Sequence, residues 1–281
     1  MATDCTLKGN ADLYGFGVRL GVYGQWIATL LTTVFDPVNE APFRLLNLII
    51  QASIFVGLCN ESRMRPRADL TASGEANAVG AVVVQFLLCG SLSSVTGDGI
   101  SHFDHISGIL RLVLHLALSA YGVWFWFRGV DVMTVPACVD GEVAFFGPSS
   151  LTGWFRWLGK TLSVGGVVAC VGLAAFSVHR LIRRFGSGIR AGFRRPTGRR
   201  PQVEVSLLLL SMGLIALSIS TVEYLIATND IQGVGKSDIG SVAQLIPLLA
   251  GAVACFLSLW KLLARGLLWR KRCWLLLGRH L

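Results

Sequence analysis

The stretch VSLLLLSMGLIALSISTVEYLIA, residues 205–227, decides the class of this protein. It carries a single ionisable carboxylate, Glu223, in an otherwise apolar run. A helix of this length rises about 34 Å, which is enough to cross a hydrocarbon core of about 30 Å. Apolar and polar residues do not alternate along it, as they would in a membrane-spanning strand. The stretch therefore predicts a transmembrane helix.

Similar apolar runs recur along the chain and indicate a bundle of such helices. The candidate spans are 15–35, 43–59, 77–97, 107–127, 161–182, 205–227 and 239–260. Hydrophobic residues make up 53% of the chain and charged residues 15%, whereas a soluble domain has about a quarter of its residues charged. We predict an all-α polytopic transmembrane helix bundle of about seven spans over 15–260. The span 43–59 is short and contains Arg44, Asn47 and Gln51, so a re-entrant or shifted helix is the alternative there.

The distribution of Lys and Arg predicts the orientation, because short basic loops stay on the cytoplasmic side. Most of these residues lie in the fifth loop, RRFGSGIRAGFRRPTGRR (183–200), and in the tail, WKLLARGLLWRKRCWLLLGRH (260–280). This places the amino-terminal segment, 1–14, outside and the basic tail, 261–281, in the cytosol. Three arginines in the second loop run against this orientation. Residues 1–14 lack an apolar centre, so we expect the first span, rather than a cleaved signal peptide, to direct insertion.

The formal net charge of +9 raises the question of partners. A nucleic-acid interface would need a basic stripe on a folded soluble face, whereas these arginines flank apolar spans, so we expect no nucleic acid. Juxtamembrane basic clusters attract anionic lipid headgroups, by about 1 kcal/mol per residue, and the tail is suited to a short interfacial helix. Aromatic runs at 124–127 and 154–157 border the fourth loop and predict anchoring belts at the membrane surface. The predicted partners are therefore the lipid bilayer and its anionic headgroups; the membrane, plasma or internal, is left open.

Charged residues inside spans are the main candidates for function, because each costs roughly 2.5–3.5 kcal/mol at a helix centre. Arg19 lies one turn into the first span and Glu223 about one turn before the end of the sixth, so both are predicted near the outer leaflet. Their common depth allows a buried ion pair, with Gln25 and Gln244 completing a polar cluster. The alternative is that Arg19 and Glu223 extend separately to the interface.

Two other polar sets have mainly structural interpretations. Arg111 and His115 stand four residues apart and are expected to share an inward helix face. The segment DGISHFDHISG, residues 98–108, contains Asp98, His102, Asp104 and His105, which are ligand types for zinc or iron. A polar turn between helices uses the same residue types, so we expect neither a metal nor another cofactor, and no catalytic residue is assigned.

Glycines and cysteines add two predictions about packing and redox state. Gly17, Gly21 and Gly24 follow a spacing typical of a close helix contact, and Gln244, Pro247 and Gly251 predict a kinked last span. Most cysteines fall inside spans. Cys5 and Cys138 both fall on the predicted outer side, where a disulfide between them is a hypothesis, with Cys59 as a competing partner.

Three segments carry a resemblance to a known group. These are NADLYGFGVRLGVYGQW, residues 10–26, Cys138 followed by Phe145-Phe146, and GSVAQLIPLLAG, residues 240–251. The chain resembles polytopic, about seven-span integral membrane proteins of filamentous fungi that have no assigned activity. The resemblance implies a polar segment ahead of the Gln-Leu-Ile-Pro stretch, a place taken here by residues 228–231. It implies no catalytic residue.

Three functions are compatible with these observations. A receptor- or sensor-like seven-helix bundle fits the outward amino terminus and the basic cytosolic face. A small-solute transporter or channel would need a polar pathway through the midplane and often shows internal repeats, and none is seen here. A membrane-embedded metal-dependent enzyme would need convergent ligands, which only the segment 98–108 approaches. We expect the first of these and a protein that is not an enzyme.

Overall fold

The computed structural model describes residues 7–36, 41–63, 78–92, 106–133, 151, 153–186, 205–236 and 239–277. These ranges are helical, without a strand, and the predicted all-α fold is confirmed in them. The main helices are α1 (Phe16–Phe35), α2 (Ala41–Arg63), α3 (Ala78–Cys89), α4 (Ile106–Trp124), α5 (Trp154–Gly186), α6 (Val205–Thr228) and α7 (Val242–Leu277). Shorter elements are a helix at Ala11–Tyr14, a 3-10 turn at Gly90–Leu92, and a π-helical turn at Phe125–Gly129 that leads into Val130–Met133.

Five of these helices are long and apolar enough to cross a membrane, which indicates a membrane-embedded protein. The qualifying segments are Ala41–Arg63, Gly108–Met133, Trp154–His179, Leu208–Thr228 and Val242–Ala264. Helix α1 is not among them because arginine, glutamine and threonines lower its hydropathy. Helix α3 has only 12 residues. Helix α3 is buried along almost its whole length, and α1 is buried on most of its surface but exposes Leu20 and Ile27.

Several predicted boundaries are corrected. Helix α2 has 23 residues, so length no longer argues against a full span there. Helix α5 begins at Trp154 rather than 161, because the aromatic residues assigned to the loop border form its first turn and pack on the end of α4. Helix α7 continues to Leu277, so the backbone of the tail extends the last span instead of forming a separate interfacial helix. Past Pro247 that helix contains no proline, and its Leu, Lys and Arg residues are good helix formers.

Helix α1 is buried on most of its surface by other helices. Val18, Val22 and Trp26 are buried on it, and α3 is buried along almost its whole length. By contrast, α5 packs mainly on α4 and exposes Trp157, Leu162 and Val168. Such an outward apolar surface is expected where lipid, and not water, surrounds the protein.

The closest contact in the bundle joins α1 to α7 through glycine. The backbone of Gly21 lies against Pro247, Gly24 faces Gly251, and Gly17 faces Gln244. A Cβ at Gly21 would overlap the Pro247 carbonyl group, and a Cβ at Gly251 would overlap the Gly21 carbonyl oxygen. The predicted glycine contact is therefore observed, and its partner is the proline-containing segment of α7.

Arg156 fixes the hairpin of α4 and α5. The π-helical turn after α4 changes the backbone hydrogen-bonding pattern there. Arg156 donates from Nε to the Trp126 carbonyl (3.0 Å) and from Nη2 to the Phe127 carbonyl (3.1 Å) in this turn. It also pairs with both carboxylate oxygens of Asp131, at 2.7 and 2.6 Å. One side chain of α5 thus completes the hydrogen bonding at the end of α4.

Candidate functional site

The main polar site is the Arg19 cluster, formed by Arg19, Tyr23, Glu223 and the carbonyl of Val234. Arg19 donates from Nη1 to Glu223 Oε2 at 2.7 Å and from Nη2 to the Val234 carbonyl at 2.9 Å. The Tyr23 hydroxyl donates to Glu223 Oε1 at 3.0 Å. The cluster therefore joins three parts of the chain: α1, α6 and the segment between α6 and α7.

The two charges of this ion pair differ in exposure. The side chain of Arg19 is 4% exposed and that of Glu223 is 46% exposed. The structure therefore places the cation inside the bundle and the carboxylate at its surface, a correction to the idea of a wholly buried pair. The alternative in which the two residues extend separately is wrong, because they are in direct contact.

Aromatic contacts add a second cation beside the cluster. The Arg19 guanidinium carbon lies 5.8 Å from the centre of the Phe16 ring, and Lys236 Nζ lies 5.7 Å from the same centre. Both distances fall within the range of cation–π attraction. Arg19 Nε is buried and has no hydrogen-bond partner among the described residues. The cluster thus combines two cations, one carboxylate and an unused buried donor.

The segment after α6 is folded so that the Val234 carbonyl reaches Arg19. Asn229 Nδ2 donates to the Leu225 carbonyl at 2.9 Å, and Asp230 and Gly233 have positive φ angles of 44° and 80°. Two backbone hydrogen bonds, Gly9 N–H to Gln232 carbonyl (2.8 Å) and Gln232 N–H to Leu7 carbonyl (2.9 Å), hold the segment to the chain ahead of α1. The polar residues 228–231, singled out by the resemblance, begin this turn.

Gln25 and Gln244, predicted to complete the cluster, have no hydrogen bond to its members among the described contacts. Gln244 belongs to the α1–α7 contact, where its Oε1 accepts from the Gly17 backbone N–H at 3.4 Å. Gln25 lies six residues beyond Arg19, about 9 Å further along α1. It is 2% exposed, and neither atom of its amide has a hydrogen-bond partner. Tyr23 and the Val234 carbonyl, which take their place, were not predicted; the spacing of Tyr23 four residues after Arg19 was the available signal.

From Gln25 to the residue that follows α1, buried polar side chains recur on one face of the helix. This polar seam consists of Gln25, Thr29, Thr32, Thr33 and Asp36. The Thr32 hydroxyl is 3.1 Å from that of Ser258 on α7, and Arg44 Nη2 of α2 donates to Thr33 Oγ1 at 3.2 Å. Lys261 Nζ lies 3.8 Å from Asp36 Oδ2 at the end of the helix. From Arg19 to Asp36 the polar side chains extend over about 26 Å, close to the thickness of a hydrocarbon core.

Arg111 and His115 share a buried face of α4, as predicted. His115 Nδ1 lies 2.7 Å from the Arg111 carbonyl oxygen, and its Nε2 lies 3.3 Å from Ser91 Oγ in the 3-10 turn. The imidazole thus connects α4 with the end of α3, which supports the structural interpretation of this pair.

Several predicted residues lie outside the described part of the chain. These are Cys5, Cys138, Asp98, His102, Asp104, His105 and the side chains of the fifth loop and most of the tail. The disulfide, the metal hypothesis and the basic lipid-binding surfaces therefore stay predictions. Cys59, the competing disulfide partner, is a free thiol. Within the described ranges, no group of three or more His, Cys, Asp or Glu side chains is arranged to hold a metal ion.

Comparison with known proteins does not identify a protein with a similar site. The chain matches no protein-family model, no curated protein and no solved structure. The similarity to fungal membrane proteins stays a prediction.

Proposed function

We propose that this protein is a receptor- or sensor-like membrane protein in which all seven long helices cross the bilayer. The amino terminus lies outside and the basic tail in the cytosol, where anionic lipid headgroups bind the fifth loop and the tail. In this arrangement the Arg19 cluster lies at the outer end of α1. The observation that carries the proposal is the ion pair between a buried Arg19 and a half-exposed Glu223.

The dimensions of α1 and α3 support seven crossings. Helix α1, with 20 residues, is about 30 Å long, and α3 with its 3-10 turn is about 24 Å long. The polar side chains of α1 are on its buried face, and its exposed Leu20, Ile27 and Phe35 are apolar, so α1 needs less overall hydropathy than a helix surrounded by lipid. The polar content of α1 is therefore compatible with a full crossing.

The arrangement of charges suits a switch that responds from outside. Glu223 is within reach of an external ligand, whereas its partner Arg19 is held in the core by the Val234 carbonyl and the Phe16 ring. A ligand that breaks the pair changes how α6 and the Val234 segment bind α1. Helix α1 contacts α7 backbone to backbone at Gly21 and Pro247, so a displacement of α1 is transmitted to α7 and toward the cytosol.

Hydrogen–deuterium exchange in lipid nanodiscs tests this proposal through Glu223→Gln, which keeps the side-chain shape and removes its charge. We expect faster exchange of backbone amides in the Val234 segment and also in the far half of α7, near Ser258, because α1 and α7 move together. Asp131→Asn is the matched control, since it removes the carboxylate of another arginine pair that is on α4 and α5. Faster exchange confined to residues close to Glu223 would refute a sensor that couples its two ends.

The polar seam favours a second function, transport of a small polar solute. Gln25, Thr29 and Thr32 supply hydroxyl and amide groups within α1, and the Gln25 amide is unpaired. Such groups line polar pathways in membrane proteins. Osmotic swelling of proteoliposomes in urea and in glycerol tests this function, with Gln25→Leu as the variant expected to slow swelling. Permeability equal to that of protein-free liposomes would reject transport of these solutes.

A further inference from the structure

The Arg19 cluster already contains a bound carboxylate, that of Glu223. Arg19 Nη1 and the Tyr23 hydroxyl each donate to one of its oxygens, at 2.7 and 3.0 Å. A guanidinium and a hydroxyl that converge on two oxygens form a donor set for carboxylates and phosphates in general. Glu223 therefore shows which chemistry the cluster recognises.

The two partners differ in how easily they leave the cluster. The Glu223 side chain is 46% exposed, so the bundle does not enclose it, and it lies five residues before the end of α6, close to the outer membrane surface in the proposed topology. Arg19 is 4% exposed and is also held by the Val234 carbonyl, so it stays in place. When Glu223 leaves, the buried cation requires another anion, because an isolated buried charge is strongly unfavourable.

The remaining groups near Arg19 favour an anion over a cation as the external partner. Lys236 and Arg19 both lie within 6 Å of the Phe16 ring centre, and among the described contacts of the cluster these two cations outweigh the single charge of Glu223. In the described part of the chain, the buried Arg19 Nε has no hydrogen-bond partner, so it supplies one more donor. A cationic ligand would meet a carboxylate that is already neutralised and would be repelled by Lys236.

We propose that the Arg19 cluster binds an anionic group, a carboxylate or a phosphate, which takes the place of the Glu223 carboxylate. This inference rests on the proposed function, because it names the ligand class of the same site. The anion comes either from a dissolved molecule or from the phosphate of a lipid headgroup at the membrane surface. The shared chemistry is an oxyanion that accepts hydrogen bonds from Arg19 and Tyr23.

Chemical rescue of Glu223→Ala tests the proposal. The variant leaves Arg19 without its carboxylate, so its thermal unfolding midpoint in detergent should fall. Added sodium acetate should restore at least half of the loss, whereas acetamide, a neutral molecule of the same shape, should not. The double variant Arg19→Gln/Glu223→Ala should not respond to acetate. Inorganic phosphate serves as a second soluble probe.

A second arm of the experiment separates the two sources of the anion. The thermal unfolding midpoint of Glu223→Ala is compared between nanodiscs of phosphatidylcholine alone and nanodiscs that also contain phosphatidic acid. Rescue by acetate or inorganic phosphate supports a dissolved ligand, and rescue by phosphatidic acid alone supports a lipid headgroup. A folded Glu223→Ala protein that responds to none of these, or equally to acetate and acetamide, overturns the proposal.

Poor folding of Glu223→Ala does not remove the test. In that case the yield of monodisperse protein is compared after solubilisation with acetate and with acetamide, and equal yields overturn the proposal. The outcome is also independent of the exchange experiment. If anions rescue Glu223→Ala but hydrogen–deuterium exchange changes only near Glu223, the anion site is supported and the sensor function is refuted. If exchange also changes in the far half of α7 but no anion rescues the variant, the sensor function is supported and the anionic ligand is refuted.

Discussion

Gly21→Ala should separate α1 from α7 and destabilise the bundle. The added Cβ would overlap the Pro247 carbonyl group and lie 2.6 Å from the Leu248 backbone nitrogen, whereas ordinary contact begins near 3.4 Å. The obstructing atoms are backbone, so they have no side-chain rotation by which to give way. The helices must therefore move apart by about 0.8 Å or more at this point. Overpacking of this kind costs about 1–3 kcal/mol, which exceeds the gain of up to about 1 kcal/mol from replacing glycine in a helix.

The midpoint of thermal unfolding in detergent measures the effect. One kcal/mol shifts the midpoint by about 2–4 °C in chains of roughly this size, so Gly21→Ala should unfold several degrees below the wild type. Gly213→Ala on α6 is the matched control, because nothing lies within 4 Å of the position of its Cβ. That variant should keep the wild-type midpoint or exceed it slightly. Equal midpoints for the two variants would refute the close backbone contact between α1 and α7.

Three further predictions concern the charged pairs and the topology. The unfolding free energies of Arg19→Gln, Glu223→Gln and the double variant should show a coupling of about 0.5–3 kcal/mol, and additive losses would show that the residues act independently. Asp131→Asn should change the unfolding free energy by no more than about 1 kcal/mol, because this pair is exposed. Arg156→Ala should cost more, since it also leaves the Trp126 and Phe127 carbonyls without their donor, and equal losses would contradict that role. Tags at the two chain ends should be digested by protease from opposite sides of sealed vesicles, whereas digestion from one side would exclude seven crossings.

The partners of Arg19 show how far sequence reasoning reached into the site. A common depth in two apolar spans was enough to suggest Arg19 and Glu223 as partners, because charges inside a membrane protein seldom occur without an explanation. Depth alone could not identify Tyr23 or the Val234 carbonyl. Their contribution depends on the rotation of α1 about its axis and on the turn at Asp230 and Gly233. Neither quantity is encoded in a hydropathy pattern.

Gln25 and Gln244 illustrate the opposite error. Both are predicted to lie with Arg19 because they are polar and close in depth, yet neither is hydrogen-bonded to the Arg19 cluster in the described contacts. Gln244 contacts Gly17 within the α1–α7 contact, while Gln25 begins the polar seam. A helix turns by 100° per residue, so similar depth does not imply the same neighbours.

The local sequence by itself determined the helices and their approximate positions. Apolar runs of membrane length must satisfy their backbone hydrogen bonds internally, and a helix does this without any partner. The glycine spacing on α1 likewise predicted a close contact, because only the absence of Cβ atoms is required. Tertiary structure decided which helix fills that contact, which faces of each helix are buried, and where α5 begins. Those outcomes depend on packing between residues far apart in the chain: Pro247 fits Gly21, and a carboxylate of α6 meets the guanidinium of α1.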